Sequence, residues 1–124
     1  MKKSLLFIAT ALILISYTSC KDVVEDVIDC TVESAFLKVE ASIDDTNPLL
    51  VHFTFINGDT INNTFTLDQS IKWEFGDGAE ETSDGLTISH QYPDIATYDT
   101  KGYYMLRRGS ATCSDYKEKS VTLE

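Results

Sequence analysis

The sequence predicts an all-β protein, an antiparallel sandwich preceded by a removable export segment. Three observations predict it. Apolar and polar residues alternate at a period of two in several short runs, as on strands with one wet face. Clusters of Gly, Pro, Asn and Asp break these runs about every eight to twelve residues. After the first apolar stretch, no segment carries a sustained helical period. The chain has 124 residues, room for one ordinary domain and a targeting segment, and it contains no internal repeat.

The N-terminus reads as an address. Lys2 and Lys3 precede an apolar run from Leu5 to Ile15, interrupted only by Thr10. That is about 11 residues, where a membrane-spanning helix needs about 20. Positive charge, a short apolar run and small residues before a cleavage point describe a secretory signal peptide over residues 1–19. The next feature, Tyr17-Thr18-Ser19-Cys20, resembles the bacterial lipobox. The resemblance implies that Cys20 is acylated and becomes the new N-terminus, although Tyr17 stands where Leu is preferred. The alternative is an ordinary signal peptide with an incidental cysteine. Acyl chains anchor a protein because each buried CH₂ contributes about 0.8 kcal/mol. Residues 20–33 then form an acidic tether, and Asp22, Glu25 and Asp26 resemble the surface-export signal of some Gram-negative lipoproteins. The expected location is the outer membrane, with the signal leaning to the face toward the cell exterior and the periplasmic face as the alternative. Val23, Val24, Val27 and Ile28 lie at helical spacing and are expected to touch the domain.

The domain occupies residues 34–124. Leu37, Val39, Ala41 and Ile43 alternate with Lys38, Glu40 and Ser42 to give a first strand. Asp44-Asp45-Thr46-Asn47-Pro48 is dense in turn formers. Val51, Phe53 and Phe55, separated by His52 and Thr54, form the second strand, which ends at Asn57-Gly58-Asp59. Residues 60–69 exceed a simple connection. Ile61, Thr64, Phe65 and Thr66 suggest an extra short strand or hairpin there, and loops of this kind carry specificity on sandwich scaffolds. Ile71, Trp73 and Phe75 alternate with Lys72 and Glu74 before a sharp turn at Gly76-Asp77-Gly78. Glu80, Glu81 and Thr82 read as a charged edge strand, and Leu86 to His90 as the next. Thr97 to Arg107 follows, then a loop around Gly109-Ser110, and Lys119, Val121 and Leu123 end the chain as the last strand.

A large aromatic on a central strand, a sharp turn and a tyrosine opening a later strand are features of an immunoglobulin-like sandwich. Trp73-Glu74-Phe75-Gly76-Asp77-Gly78, then His90-Gln91-Tyr92, then Ala96-Thr97-Tyr98, resembles the PKD (polycystic kidney disease) domain family. Its signature is Trp-Asp-Phe-Gly-Asp-Gly, His-x-Tyr and Gly-x-Tyr. The resemblance runs from about Ser34 to Glu124. Glu74 replaces the usual Asp, Ala96 replaces the preferred Gly, and Thr100, Gly102 and Tyr104 stand where aliphatic residues are usual. It implies a structural role for Trp73, Phe75, Gly76, Asp77, Gly78, His90, Tyr92 and Tyr98. It also implies protein–protein or protein–carbohydrate contacts at the cell surface.

Charge narrows the partners. Without Lys2 and Lys3 the chain keeps 8 basic and 20 acidic residues, a net charge of −12. Such a surface repels phosphate backbones and excludes nucleic acid as a partner. Cys30 and Cys113 remain once Cys20 is acylated, and in an exported protein two such residues pair; two free thiols are the alternative. Neither has the neighbours that zinc or redox chemistry requires. Asp77, Glu80, Glu81 and Asp84 are weak calcium candidates without the spacing of a calcium loop, and the favoured role of Asp77 is to fix its turn.

His52 and His90 are candidate general bases, but no nucleophile motif accompanies them. Trp73 and Tyr92 belong to the core in preference to a sugar platform. Tyr103, Tyr104 and Tyr116 are better stacking candidates, of which alternation leaves at most one of Tyr103 and Tyr104 free. Arg107 and Arg108 form a small basic spot, and Asp59-Thr60-Ile61 resembles a short bacterial O-glycosylation signal. These features together predict a non-enzymatic module without cofactor. It is held to a membrane by its lipid and contacts a protein or glycan, with a passive spacer as the alternative and a small hydrolase last.

Overall fold

The computed structural model describes residues 30–58 and 65–124. The signal peptide, Cys20, most of the tether and Asp59-Thr60-Ile61 lie outside the described residues. Eight strands follow in order: β1 (Leu37–Ile43), β2 (Leu50–Asn57), β3 (Thr66–Leu67), β4 (Ile71–Glu74), β5 (Glu80–Ser83), β6 (Thr87–Gln91), β7 (Thr97–Arg108) and β8 (Ala111–Thr122). Every pairing is antiparallel. One sheet has the order β1–β2–β6, and the other five strands form the second. β8 pairs β7 along its whole length, so β4 and β3 share the opposite edge of β7, at residues 101–103 and 106–107. β5 lies outside β4. This is the antiparallel sandwich expected from the sequence.

Alternation fills its core. Leu37 and Val39 of β1, Val51, Phe53 and Phe55 of β2, Ile71 and Trp73 of β4, and Tyr104 and Leu106 of β7 are all buried. Trp73 has no exposed surface. Phe53 lies 5.9 Å and Phe55 6.3 Å from it between ring centroids, and its Nε1–H donates to Ser83 Oγ at 3.0 Å. The indole thus gains apolar burial without an orphaned donor. Gly102 makes room for it: a Cβ there would lie 3.0 Å from Trp73 Cζ3 and 3.2 Å from the Phe55 ring.

Two elements differ from expectation. β8 begins at Ala111, not near Lys119, because a two-residue turn joins it to β7. Gly109 has φ 59° and Arg108 pairs with Ala111 across it, the glycine-first pattern of a type II′ hairpin. Thr112 to Lys119 is polar because this strand is held by its backbone ladder to β7 and mostly faces water. Cys113 consequently sits inside a strand, opposite Leu106, not in a loop. Residues 30–34 form a helical turn where a tether was expected through residue 33. Cys30 in that turn is buried and disulfide-bonded to Cys113, with Cα atoms 6.5 Å apart and a sequence separation of 83. Closing so long a loop contributes about 4 kcal/mol in the chain-entropy account. Glu33 is also buried, and both its carboxylate oxygens accept from the Phe65 N–H, at 3.1 and 3.2 Å. Of the expected 60–69 element, β3 is the described part.

Candidate functional site

The signature residues assemble at one place, where the two sheets meet. After β4 the chain turns back: Phe75 N–H donates to Ala79 O at 3.1 Å, with φ of 85° at Gly76 and 94° at Gly78. A Cβ on Gly76 would stand 2.7 Å from Asp99 O, so only glycine fits. Asp77 Oδ1 accepts from Ala79 N–H at 3.0 Å, and Oδ2 accepts from His90 Nε2–H at 2.7 Å. Burial pushes the Asp77 carboxyl up, but these hydrogen bonds outweigh it and hold the group below its usual 3.8.

The His90 ring lies flat on Phe75 at 3.8 Å and edge-on to Tyr92 at 4.6 Å. Tyr92 stacks in turn on Tyr98 at 4.1 Å. The Tyr92 hydroxyl donates to Phe75 O at 2.9 Å and lies 2.8 Å from Thr100 Oγ1; burial pushes its phenol up to about 12. Tyr98 OH donates to Asp94 O four residues earlier, the geometry of a tyrosine corner. His90 belongs to the smaller sheet; Tyr98 and Thr100 belong to the larger, and Phe75 directly follows its strand β4. The cluster therefore clamps sheet to sheet.

A second histidine is arranged differently. His52, facing outward on β2, pairs with Ser89 of β6. Its Nε2–H donates to Asp44 Oδ2 at 3.0 Å; a carboxylate only accepts, which fixes this tautomer. Its Nδ1 accordingly accepts from Ser89 Oγ–H at 2.6 Å. Hydrogen bonds from the Thr46 hydroxyl, His52 and the Thr46 backbone amide hold the Asp44 carboxyl well below its usual range. This is a Ser–His–Asp relay, with the two ring nitrogens exchanged relative to the serine-protease arrangement. No local pattern marks it, since Ser89 is 37 residues from His52 and only the strand register brings them together. None of the three lines either of the two depressions described below, and acyl transfer also needs donors aimed at the developing oxyanion.

The four carboxylates considered for calcium do not converge. Asp77 is engaged as described, Glu80 sits 3.0 Å from Lys72 Nζ, and Glu81 leaves the opposite side of β5 from Glu80. Among the described residues, no three His, Cys, Asp or Glu side chains group closely enough to hold a metal ion. Arg107 Nε donates to Asp68 Oδ1 at 2.9 Å, while Arg108 lies over the Phe65 ring at 4.4 Å. The basic spot is thereby divided between two faces.

The tyrosines separate as alternation requires. Tyr104 is buried against Phe55, centroids 5.6 Å apart. Tyr103 faces outward and pairs across the ladder with Tyr116, ring centroids 5.5 Å apart and planes 51° from parallel. Tyr103 OH donates to Glu74 Oε2 at 2.9 Å, and that carboxylate pushes the phenol up. Lys72 Nζ lies 5.6 Å from the Tyr103 ring and Lys101 Nζ 4.8 Å from the Tyr116 ring. Beside this pair opens a depression of about 570 Å³, lined by Asp68, Ser70, Lys72, Ser114 and Asp115 among others. A second, of about 410 Å³, lies by the disulfide and is bordered by Ser34, Phe65, Tyr104 and Ala111.

No protein-family model matches the chain, and no characterised protein sequence matches it. Among solved structures it is similar to the PKD1 domain of the Vibrio cholerae metalloprotease PrtV. The similarity has 16% sequence identity and a TM-score of 0.49, and covers 71% of this chain and 94% of that one.

Proposed function

We propose that this chain is an exported, non-catalytic interaction module of the PKD kind. In this reading it is anchored through acylated Cys20 in the outer membrane, faces the cell exterior, and contacts a protein or a glycan there. The observation that carries the reading is the use of the signature residues. Asp77, His90, Tyr92 and Tyr98 are committed to joining the two sheets, which leaves recognition to the outward faces. Labelled palmitate should enter the wild-type protein and not Cys20→Ala. Crosslinking on intact cells should then recover a surface protein or glycan with the anchored protein. Label in both proteins, or label in neither, defeats the anchor, and crosslinking that recovers no partner defeats the interaction role.

A second reading, a small serine hydrolase, has the Ser89–His52–Asp44 relay in its favour. It requires that Ser89→Ala abolish hydrolysis of p-nitrophenyl acetate by the purified protein. Equal rates in the two proteins would remove it.

A further inference from the structure

The two outer faces of the sandwich are chemically unlike, and the difference selects a ligand. This inference rests on the interaction role proposed above and names its face and partner. On the larger sheet, β3 and β4 lie end to end along β7, and the break between them, at residues 68–70, borders the 570 Å³ depression. By register, β7 supplies Tyr103 and Met105 to its middle, β8 supplies Ser114 and Tyr116 to one side, and Ser70 and Lys72 stand on the other.

The contents are aromatic rings beside short hydroxyls, carboxylates and one ammonium. A pyranose ring presents an apolar C–H face that packs on an aromatic ring, and a rim of hydroxyls that pair with such polar groups. The volume lies within the range of about 300–1,000 Å³ typical of small-ligand sites. An extended peptide fits this place less well. Strand addition would place it along the outer edge of β8, the unpaired edge on this side of the sheet, and not in the depression, whose floor strand β7 is flanked by β3, β4 and β8. Polyanions are repelled by a chain of net charge −10. We infer that the Tyr103–Tyr116 face binds a neutral polysaccharide, with a sugar ring on Tyr116, which is 43% exposed, and hydroxyls reaching Ser114, Ser70 and Lys72. The lysines now over the two rings hang on flexible stems and move aside as the sugar arrives.

Native electrophoresis of the mature chain through gels containing β-glucan, xylan, galactomannan or amylopectin tests this. Retardation in at least one gel is expected. Tyr116→Ala should weaken it at least about tenfold, the loss of an aromatic anchor, while Thr54→Ala, on the outer face of the smaller sheet, should be retarded as wild type. Circular dichroism establishes that each variant is folded. No retardation in any gel, or equal retardation of wild type and Tyr116→Ala, overturns the inference. A surface protein crosslinked in the absence of retardation overturns the glycan while leaving the interaction role standing. Failure of both experiments removes both.

Discussion

The molecule contains two histidine–aspartate pairs, and they teach different lessons. His90–Asp77 is 2.7 Å long, with side chains only 14% and 8% exposed, and the imidazole is sandwiched into a column of aromatic rings. His52–Asp44 is 3.0 Å long, with side chains 42% and 26% exposed, and its imidazole meets a serine hydroxyl at the surface. Bond type and distance are nearly the same, so the surroundings decide the role. In the first pair, loss of the ring would open a cavity and strand a carboxylate that is largely shielded from water. In the second, water replaces whatever is removed. The pair that the sequence motif marks builds the fold, and the unmarked one is free for solvent or ligand.

The comparison can be sharpened by substitutions of decreasing effect. Trp73→Ala, linked to the aromatic column through Phe53, should cost about 3–5 kcal/mol in denaturant unfolding, because little around a fully enclosed indole can collapse into the space. A loss below 1 kcal/mol would mean the column does not hold the sheets. Tyr92→Phe keeps every ring contact and removes only the hydroxyl shared by Phe75 O and Thr100 Oγ1, so about 1 kcal/mol is expected. Thr100 Oγ1 stands 3.3 Å from the same carbonyl, and its proton turns to that oxygen once the phenol hydroxyl is gone, which limits the damage.

The smallest effect is in acid. The Asp77 carboxyl is held low in the fold, so its contribution is fully present above its unfolded value and disappears as pH falls through the lower folded one. Between neutral pH and pH about 3, wild type should lose more stability than Asp77→Asn. Asp44 titrates in the same direction in both proteins, and the difference between them isolates Asp77. Parallel pH curves would contradict the assignment.

Much of the sandwich could be read directly from the chain, because β2 and β4 each set apolar against polar residues without a break. β8 could not. Its hydrogen bonds to β7 do the holding, and backbone pairing leaves no mark on side-chain composition. The unusual inward residues of β7 become intelligible only beside their neighbours: Gly102 is small because Trp73 and Phe55 fill the space, and Thr100 is polar because Tyr92 OH and Phe75 O receive it. The Tyr103–Tyr116 pair and the Ser89–His52 contact depend on register across two ladders, which no local pattern encodes. The burial of Glu33 was hidden for another reason: its carboxylate reaches the backbone amide of Phe65, 32 residues away.

The account stands on the inequality of the two histidines, and one pair of unfolding curves measures it. His90→Ala should lower stability by about 2 kcal/mol or more, through a lost ring stack and an unpaired carboxylate, whereas His52→Ala should stay within about 0.5 kcal/mol of wild type. Coincident curves for the two variants, or a larger loss at His52, would contradict it.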